Sequence, residues 1–220
     1  MNILITGSSS GIGLAVSKGF LDKGFMVYGI DIKKSNIDNP NYHHYIADVS
    51  KKEELPDLSN INYIFSNAGT QNSLDDIDNN LKGTINVIEK YAFTDSIKAV
   101  LLNASASAST GFEFPLYVAS KSGIIGYMKN VASRLIKFKA VCNSLSLGGV
   151  ITKSNDEVLS DKTLWNKIMD VTPLKKWASE EEVFDWVYFL LITNKSASGQ
   201  DFLVDNGEKD LNNTFVWPNY

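Results

Sequence analysis

The 220-residue chain has little of what holds metals or forms disulfides, since it contains one cysteine and two histidines. A single thiol excludes an intrachain disulfide, and the apolar neighbours of Cys142 indicate a buried structural thiol rather than a nucleophile. His43 and His44 have no acidic or thiol companion at ligand spacing. We therefore expect no metal site in this protein.

The chain also lacks an excess of basic charge and a long apolar run. Its net charge of −4 argues against a nucleic-acid partner. No apolar run is long enough to span a membrane, and no signal peptide precedes the first predicted strand. We therefore expect a cytoplasmic protein. Hydrophobic residues make up 44% of the chain, which is typical of a globular domain with a buried core.

Short apolar segments alternate with segments of helical periodicity along the chain. The predicted strands begin at residue 2 and continue at 25–31, 43–48, 62–66, 99–103, 138–145 and 202–204. Helices are predicted at 11–23, briefly within 50–60, and at 81–93, 116–135, 154–171 and 179–193. This order predicts an α/β fold: a doubly wound parallel sheet of about seven strands with helices on both faces. Ligand-binding residues of such sheets gather at the carboxyl ends of the strands.

A glycine-rich loop joins the first strand to the first helix. Gly7 permits a tight turn, Gly11 lets backbone N–H groups approach a pyrophosphate, and Gly13 lets the helix pack closely on the strand. The N-terminus of the helix then faces the anion. A plain turn is the alternative for three glycines alone, but the strand before and the helix after them favour a dinucleotide site.

Asp31 ends the second strand, 18 residues after Gly13. A carboxylate there can accept hydrogen bonds from the adenosine ribose hydroxyls and would repel a 2′-phosphate. It therefore favours NAD(H) over NADP(H). Lys33 and Lys34 follow closely and keep NADP(H) as the alternative cofactor. An ordinary acidic turn residue is the other interpretation of Asp31.

Tyr117 and Lys121 lie four residues apart in a predicted helix, so their side chains share one face. A lysine ammonium stabilises a nearby phenolate, and the pair is thus suited to moving a proton on or off an alcohol oxygen. Any amphipathic helix can contain such a pair, so the spacing alone is weak evidence.

The motifs together occur in one order along the chain. They are Thr6-Gly7-Ser8-Ser9-Ser10-Gly11-Ile12-Gly13, Asp31, Asp48-Val49, Asn67-Ala68-Gly69, Asn80, Ser105, Tyr117 with Lys121, Gly148-Gly149-Val150-Ile151-Thr152 and the segment 201–207. This series resembles the short-chain dehydrogenase/reductase family from one end of the chain to the other. The resemblance implies a Rossmann-type fold and a nicotinamide cofactor, and it says little about the substrate.

The resemblance implies a role for each matching residue. Tyr117 would be the general acid or base, Lys121 would lower its pKa and bind the nicotinamide ribose, and Ser105 would orient the substrate oxygen. Asn80 would hold a water that links Lys121 to solvent. The residues expected along the cofactor are Thr6, Gly7, Ser9, Ser10, Gly11, Ile12, Gly13, Asp31, Asp48, Val49, Asn67, Ala68, Gly69, Tyr117, Lys121, Gly148, Val150 and Thr152.

The expected function is an NAD(H)-dependent oxidoreductase that interconverts a small secondary alcohol and its ketone. A catalytically weak or inactive redox-sensing protein of the same fold is the alternative, although binding alone does not require Tyr117. An epimerase or dehydratase is a third hypothesis, and the chain lacks room for the longer substrate domain such relatives carry.

Several departures from the family pattern leave alternatives open. The spacing from Ser105 to Tyr117 is one residue short, so Ser107 is a second candidate for the substrate-orienting serine. Asn79 could replace Asn80. The segments 48–67 and 69–80 are trimmed as well, and Leu147 stands where the family usually has proline.

We expect one cofactor-binding domain over residues 1–207, with a substrate lid at about 150–175 and a C-terminal tail at 208–220. Substrate selection should lie in 105–116 and in the lid. Apolar side chains of both segments would face the substrate, or they would be ordinary core residues: Phe112, Phe114, Leu116, Trp165, Met169 and Leu174. Family members commonly pair through two long helices, here about 81–93 and 116–135, so we expect a homodimer or homotetramer.

Overall fold

The computed structural model describes residues 1–211 of the chain. In that part seven parallel strands form one sheet, in the order β3-β2-β1-β4-β5-β6-β7. They are β1 (Asn2–Thr6), β2 (Met26–Asp31), β3 (Tyr42–Ile46), β4 (Tyr63–Ser66), β5 (Ala99–Asn103), β6 (Val141–Leu147) and β7 (Asp201–Val204). The strand order reverses between β1 and β4, which opens a crevice at their carboxyl ends. The predicted α/β fold, a Rossmann-type sheet, is confirmed.

Helices cover both faces of the sheet. They are α1 (Gly11–Asp22), α2 (Gly83–Tyr91), α3 (Ser107–Thr110), α4 (Pro115–Leu135), α5 (Asp156–Ser160), α6 (Lys162–Val171) and α7 (Glu180–Tyr188). Successive side chains of a strand point to opposite faces of the sheet. An apolar strand such as Ile3-Leu4-Ile5 therefore contributes side chains to a hydrophobic core on each face. Leu4 packs with Ile88 and Met128 on the α2 and α4 side. Ile3 and Ile5 pack on the opposite side, which α1 and α7 cover.

Several predicted boundaries are wrong, and each error has a local cause. The sixth strand begins at Val141 rather than at 138, because Ile136–Phe138 forms a 3₁₀ turn after α4 and Lys139 turns the chain with a φ of 55°. The helix predicted over 154–171 is interrupted at Asp161. The carboxylate of Asp161 accepts hydrogen bonds from the backbone N–H groups of Thr163 and Leu164 and so starts a new helix.

Two trimmed segments fold differently from the expectation. Between β3 and β4 the predicted short helix is a single 3₁₀ turn, Lys52–Glu54. Before α2 the chain makes a π-helical turn, Ile77–Lys82, whereas the predicted helix begins only at residue 81. Such π turns often occur at functional sites.

Parts of the expected organisation stay predictions. The division into a domain over 1–207, a lid and a tail is one of them, and residues 212–220 of the tail lie outside the described residues. In residues 1–211 we find no helix with the length and apolar character that crossing a membrane requires. The same residues contain no group of three or more histidine, cysteine or acidic side chains placed to hold a metal ion.

Candidate active site

The glycine loop has the close packing that its sequence predicts. Gly7 has a φ of 71° and Gly11 a φ of 48°, which are left-handed conformations that favour glycine. A Cβ atom on Gly13 would lie 2.0 Å from the carbonyl oxygen of Gly7, so only glycine fits where α1 meets β1. Ile12, in the first turn of α1, is partly buried against the core.

The N-terminus of α1 is open to an anion. Ser10 occupies the N-cap position, and its side chain makes no capping hydrogen bond to the first turn. A helix N-terminus has backbone N–H groups without partners inside the helix, and these attract phosphate groups. A Cβ atom on Gly11 would meet only Thr152, at 3.9 Å, so backbone here can approach a ligand closely.

Asp31 is held in place by the backbone of two neighbouring loops. Its Oδ2 accepts the N–H of Ser9 at 2.9 Å, and its Oδ1 accepts the N–H of Lys33 at 2.9 Å. The Ser9 hydroxyl donates to the carbonyl oxygen of Lys33 at 3.1 Å. Each carboxylate oxygen keeps a free lone pair, so Asp31 can still accept a ribose hydroxyl.

Thr6 ties the carboxyl ends of β1 and β4 together. Its hydroxyl accepts the backbone N–H of Asn67 at 2.9 Å and that of Ala68 at 3.0 Å. The Asn67 amide donates to the carbonyl oxygen of Thr6 and accepts from Asn103. A Cβ atom on Gly69 would lie 2.6 Å from Asn80 Oδ1, so the turn after β4 also requires a glycine.

Asp48 and Val49 follow β3 and have different surroundings. Asp48 accepts hydrogen bonds from the backbone and hydroxyl of Ser50, at 2.9 and 2.7 Å. Burial raises the pKa of Asp48, but the hydrogen bonds of Ser50 and the charge of Lys51 outweigh it, so the pKa lies below its usual value. Val49 is buried against Gly83 at the start of α2.

Lys121 is buried and points to the end of β5. Its ammonium donates to the carbonyl oxygen of Asn103 at 2.8 Å. Burial lowers the pKa of Lys121 to about 8, and the negative charge of Asp76 acts in the opposite direction. The acceptor oxygen of the Asn103 side chain is also buried, with no hydrogen-bond partner in the described part of the chain. This pair of groups fits a ligand that carries hydroxyls.

Tyr117 lies on the same face of α4 as Lys121, with the ammonium 5.6 Å from the centre of its ring. Burial raises the pKa of Tyr117, a hydrogen bond with Ser105 lowers it, and the charges of Glu113 and Asp76 raise it further. The net direction is upward in the cofactor-free protein. The expected lowering by Lys121 is therefore not seen here, because burial outweighs the stabilising contacts.

The two candidate serines have different partners. The Ser105 hydroxyl lies close enough to Tyr117 to lower its pKa, whereas the Ser107 hydroxyl donates to Glu113 Oε2 at 2.9 Å. The hydroxyl oxygens of the serines lie 2.7 Å apart, and both side chains are buried. This geometry favours Ser105 as the group that meets the substrate oxygen beside Tyr117.

Asn80 is buried in the π-helical turn, and Asn79 is exposed. Asn80 Oδ1 accepts the N–H of Thr70 at 2.7 Å, and its Nδ2 donates to the Thr70 carbonyl and to Ser120 Oγ. Asn79 makes one long contact, 3.3 Å to the Thr70 hydroxyl. The arrangement favours Asn80 as the family's asparagine, although its side chain is occupied by protein partners and its role in a water relay stays a prediction.

The loop after β6 lies beside the glycine loop. Val150 pairs with Ala178, and Thr152 is buried beside Gly11 with its hydroxyl 2.8 Å from that of Ser154. Gly148 packs against the backbone of Asp205: a Cβ atom on Gly148 would lie 2.8 Å from the Cα atom of Asp205. The segment 148–152 therefore lies beside the glycine loop, and its contact with a cofactor stays a prediction.

The expected lid and apolar wall are not core elements. No residue of α6 is fully buried. Trp165 packs edge-on against Trp177 at 5.2 Å, and Leu174 is 64% exposed. Phe112 is 76% exposed, whereas Phe114 and Leu116 are exposed to a smaller extent. The core interpretation of these segments is thus not supported.

Several residues near the site escaped the sequence analysis. Asp76 is fully buried. Its carboxylate accepts hydrogen bonds from the Thr70 hydroxyl at 2.7 Å and from the Ser73 N–H at 3.2 Å. Glu113 lies on the loop before α4 and reaches Ser107. Asn103 could have been found, since it ends a predicted strand. Asp76 and Glu113 had no such signal, because both lie in segments trimmed relative to the family pattern.

Comparisons with known proteins agree with this geometry. The family model described as enoyl-(acyl carrier protein) reductase matches residues 60–209. The short chain dehydrogenase prhI of Penicillium brasilianum is 28% identical over 244 aligned residues, which cover 93% of this chain and 95% of that protein.

Solved structures share the whole fold. A short chain dehydrogenase family protein from Francisella tularensis subsp. tularensis SCHU S4 has a TM-score of 0.82 and 26% identity, over 94% of this chain and 98% of its own. A 4-hydroxyisoleucine dehydrogenase complexed with NADH has a TM-score of 0.83 and 26% identity, with the same coverage.

Proposed function

Since the chain belongs to the short-chain dehydrogenase/reductase family, we propose that it is an NAD(H)-dependent oxidoreductase that interconverts a small secondary alcohol and its ketone. The observation that carries the proposal is the grouping of Tyr117, Ser105 and Lys121 at the carboxyl end of β5. These three groups can hold an alcohol oxygen and exchange its proton.

The residues around the crevice fit a nicotinamide dinucleotide. The uncapped start of α1 would hold the pyrophosphate, and Lys121 with Asn103 would meet the hydroxyls of the nicotinamide ribose. When bound, the nicotinamide supplies or accepts the hydride, and the protein positions it and moves the proton.

Asp31 supports NAD(H) over NADP(H). The backbone of Ser9 and Lys33 holds its carboxylate at the end of β2, where it would accept ribose hydroxyls and repel a 2′-phosphate. The 4-hydroxyisoleucine dehydrogenase neighbour was solved with NADH, which agrees with this preference. NADP(H) is the alternative, for which Lys33 and Lys34 are the available cations.

The proton chemistry divides among three side chains. Tyr117 would give its phenolic proton to the ketone oxygen in reduction and take it back in oxidation. Ser105 would orient that oxygen, and Lys121 would favour the phenolate by its charge. Because burial raises the pKa of Tyr117 in the free protein, the charge of a bound oxidised nicotinamide would be needed to lower it.

We also propose a homodimer or homotetramer in the cytoplasm. The helices expected to pair, α2 and α4, lie on the same face of the sheet and are joined by the ion pair of Arg134 and Glu89, 2.6 Å apart. Sedimentation that shows a monomer at working concentration would contradict this proposal.

Turnover of a ketone panel with NADH tests the function directly. We expect oxidation of NADH by at least one small ketone and a loss of about 10²- to 10⁴-fold in Tyr117→Phe, since the phenol can no longer exchange a proton. The dissociation constant of NADH should change little. If wild type and variant bind NADH and are equally inert, the protein is a dinucleotide-binding sensor instead.

A further inference from the structure

Two serine hydroxyls, beginning beside Tyr117, lead to the exposed Glu113. The Ser105 hydroxyl lies close enough to that of Tyr117 to act on the pKa of the phenol. The Ser105 and Ser107 hydroxyl oxygens are 2.7 Å apart, and the Ser107 hydroxyl donates to Glu113 Oε2 at 2.9 Å. The two serines are buried, and Glu113 is exposed. Two hydrogen bonds thus connect Ser105, the residue beside Tyr117, to an exposed carboxylate.

The partners along this chain fix its direction. In its carboxylate form Glu113 can only accept, so the Ser107 proton points toward it. Ser105 already accepts the backbone N–H of Ser107 at 3.2 Å, and its own proton is therefore free for the Ser107 oxygen. In this arrangement the protons of both serines point toward the carboxylate.

Glu113 is held at the end of this chain. It lies between α3 and α4 with a φ of 80°, in the left-handed region that a glutamate rarely adopts. Besides Ser107, the side-chain amide of Gln71 donates to the same Oε2 at 3.1 Å. Two hydrogen bonds from different segments therefore hold the carboxylate in place. The backbone of Glu113 is in a conformation that is unfavourable in free energy for a glutamate.

The route expected from the family is less continuous in this protein. Lys121 is buried and donates to a backbone carbonyl, and the Asn80 side chain is occupied by Thr70 and Ser120. The serine route instead links Ser105, beside Tyr117, to an exposed acid through side-chain hydrogen bonds.

We propose that Ser105, Ser107 and Glu113 form a proton wire that exchanges the Tyr117 proton with solvent, an inference that rests on the proposed function. After oxidation of an alcohol, the Tyr117 proton moves to Ser105, the Ser105 proton to Ser107, and the Ser107 proton to Glu113. Three O–H bonds break and three form. Glu113 then releases one proton to water, and reduction of a ketone uses the reverse sequence.

The charges around the wire bear on its test. Glu208, after β7, lies near enough for the charge of Glu113 to raise its pKa, together with burial and Asp205. Asp76 faces Tyr117 and Lys121 from the turn before α2. A through-space effect of charge must therefore be separated from proton transfer, and Glu208→Gln provides that control because it removes one charge outside the wire.

Two variants of Glu113 test the wire. Glu113→Gln keeps a side-chain acceptor for Ser107 and cannot take up a proton. Glu113→Gly suits the left-handed backbone and leaves space for a small carboxylate from solution. With the most active ketone of the panel and NADH, we expect both variants to lower kcat about tenfold or more, with KM within about twofold.

Three further readouts separate a wire from a structural role. The first hydride transfer, measured in a single turnover, should keep its rate in Glu113→Gln. Added acetate should raise the kcat of Glu113→Gly about fivefold or more and leave wild type unchanged. Ser107→Ala should lower kcat as Glu113→Gln does, whereas Ser109→Ala, which removes a hydroxyl from the same short helix, should not.

Other outcomes overturn the proposal. A rise in KM at constant kcat would make Glu113 a substrate-binding carboxylate, and an equal loss in Glu208→Gln would make the effect one of charge. Absence of rescue by acetate would also contradict the wire. If wild type itself fails to oxidise NADH, the proposed function fails, and the wire fails with it.

Discussion

The two halves of the crevice are built in different ways. On the cofactor side, backbone N–H groups bind single polar oxygens, as at Thr6 and Asp31, and glycines permit the close approaches. On the substrate side, side chains bind side chains across a short loop, as from Ser105 to Glu113. The first kind of contact depends on local backbone shape, and the second on how long the connecting segments are.

This difference explains what determines each half. A strand, a glycine loop and a helix produce the phosphate site whenever they follow one another. The substrate wall has no such rule: Asp76 and Glu113 come from the segments 69–80 and 105–117, and their charges raise the pKa of Tyr117. The cofactor side should therefore respond to backbone changes, and the substrate side to changes of charge and hydroxyl groups.

Gly13→Ala should have the largest effect. Its Cβ atom would lie 2.0 Å from the Gly7 carbonyl, so loop and helix must separate. We expect the free energy of unfolding to fall by about 3 kcal/mol and NADH binding to be lost in titrations. Gly126→Ala is the matched control, since nothing lies within 4 Å of its Cβ position, and it should stabilise the exposed helix face by about 1 kcal/mol. Equal NADH affinity of Gly13→Ala and wild type would disprove the tight packing.

On the substrate side, Lys121→Met should remove a pH-dependent contribution to the free energy of unfolding. Burial lowers the pKa of Lys121 to about 8. Below pH 8 the buried lysine is charged, and the unfavourable burial of this charge reduces the free energy of unfolding by its full amount. That cost disappears as pH rises toward the pKa of an unfolded lysine, about 10.4. The unfolding free energy of wild type relative to the variant should thus rise by about 3 kcal/mol over this interval.

Denaturant unfolding of the cofactor-free proteins at pH 7.5 and 10.5 measures this difference. Taking wild type relative to the variant cancels the tyrosines and Cys142, whose raised pKa values act in the opposite direction. Lys129→Met, on the exposed side of α4, should show no such pH term. A flat difference for Lys121→Met would mean that the ammonium is well solvated.

On the cofactor side, Asp31→Asn should weaken the preference for NADH over NADPH, an effect smaller than those of the two preceding variants. An amide accepts hydrogen bonds through one oxygen only, and it carries no charge to repel a 2′-phosphate. We expect the ratio of NADPH to NADH dissociation constants to fall about tenfold, as for loss of a charged hydrogen bond. Fluorescence titration with both cofactors measures it. Asp38→Asn, an exposed acid on the following loop, serves as the control, and an equal change in both variants would contradict the role of Asp31.

The sequence predicted more of the cofactor side than of the substrate side. The glycine loop, Asp31 and the pairing of Tyr117 with Lys121 follow from spacing within one element or one loop. The choice of Ser105 over Ser107 required coordinates, since both serines precede α4 and only the fold shows which one faces Tyr117.

Each missed feature has its own physical cause. The break at Asp161 depends on a side chain capping the next helix, which competes with a continuous apolar periodicity. The π turn before α2 inserts residues without changing the helical pattern of the sequence. The raised pKa of Tyr117 depends on burial, which no spacing reports.

Transfer of deuterium from C4-deuterated NADH tests the central claim most directly. The protein is incubated with the deuterated cofactor and a panel of small ketones, and the masses of the products are measured by mass spectrometry. We predict an alcohol with one deuterium on its carbinol carbon in wild type and none above background in Tyr117→Phe. Bound NADH without a deuterated alcohol from any ketone, in wild type as in the variant, would contradict the oxidoreductase assignment.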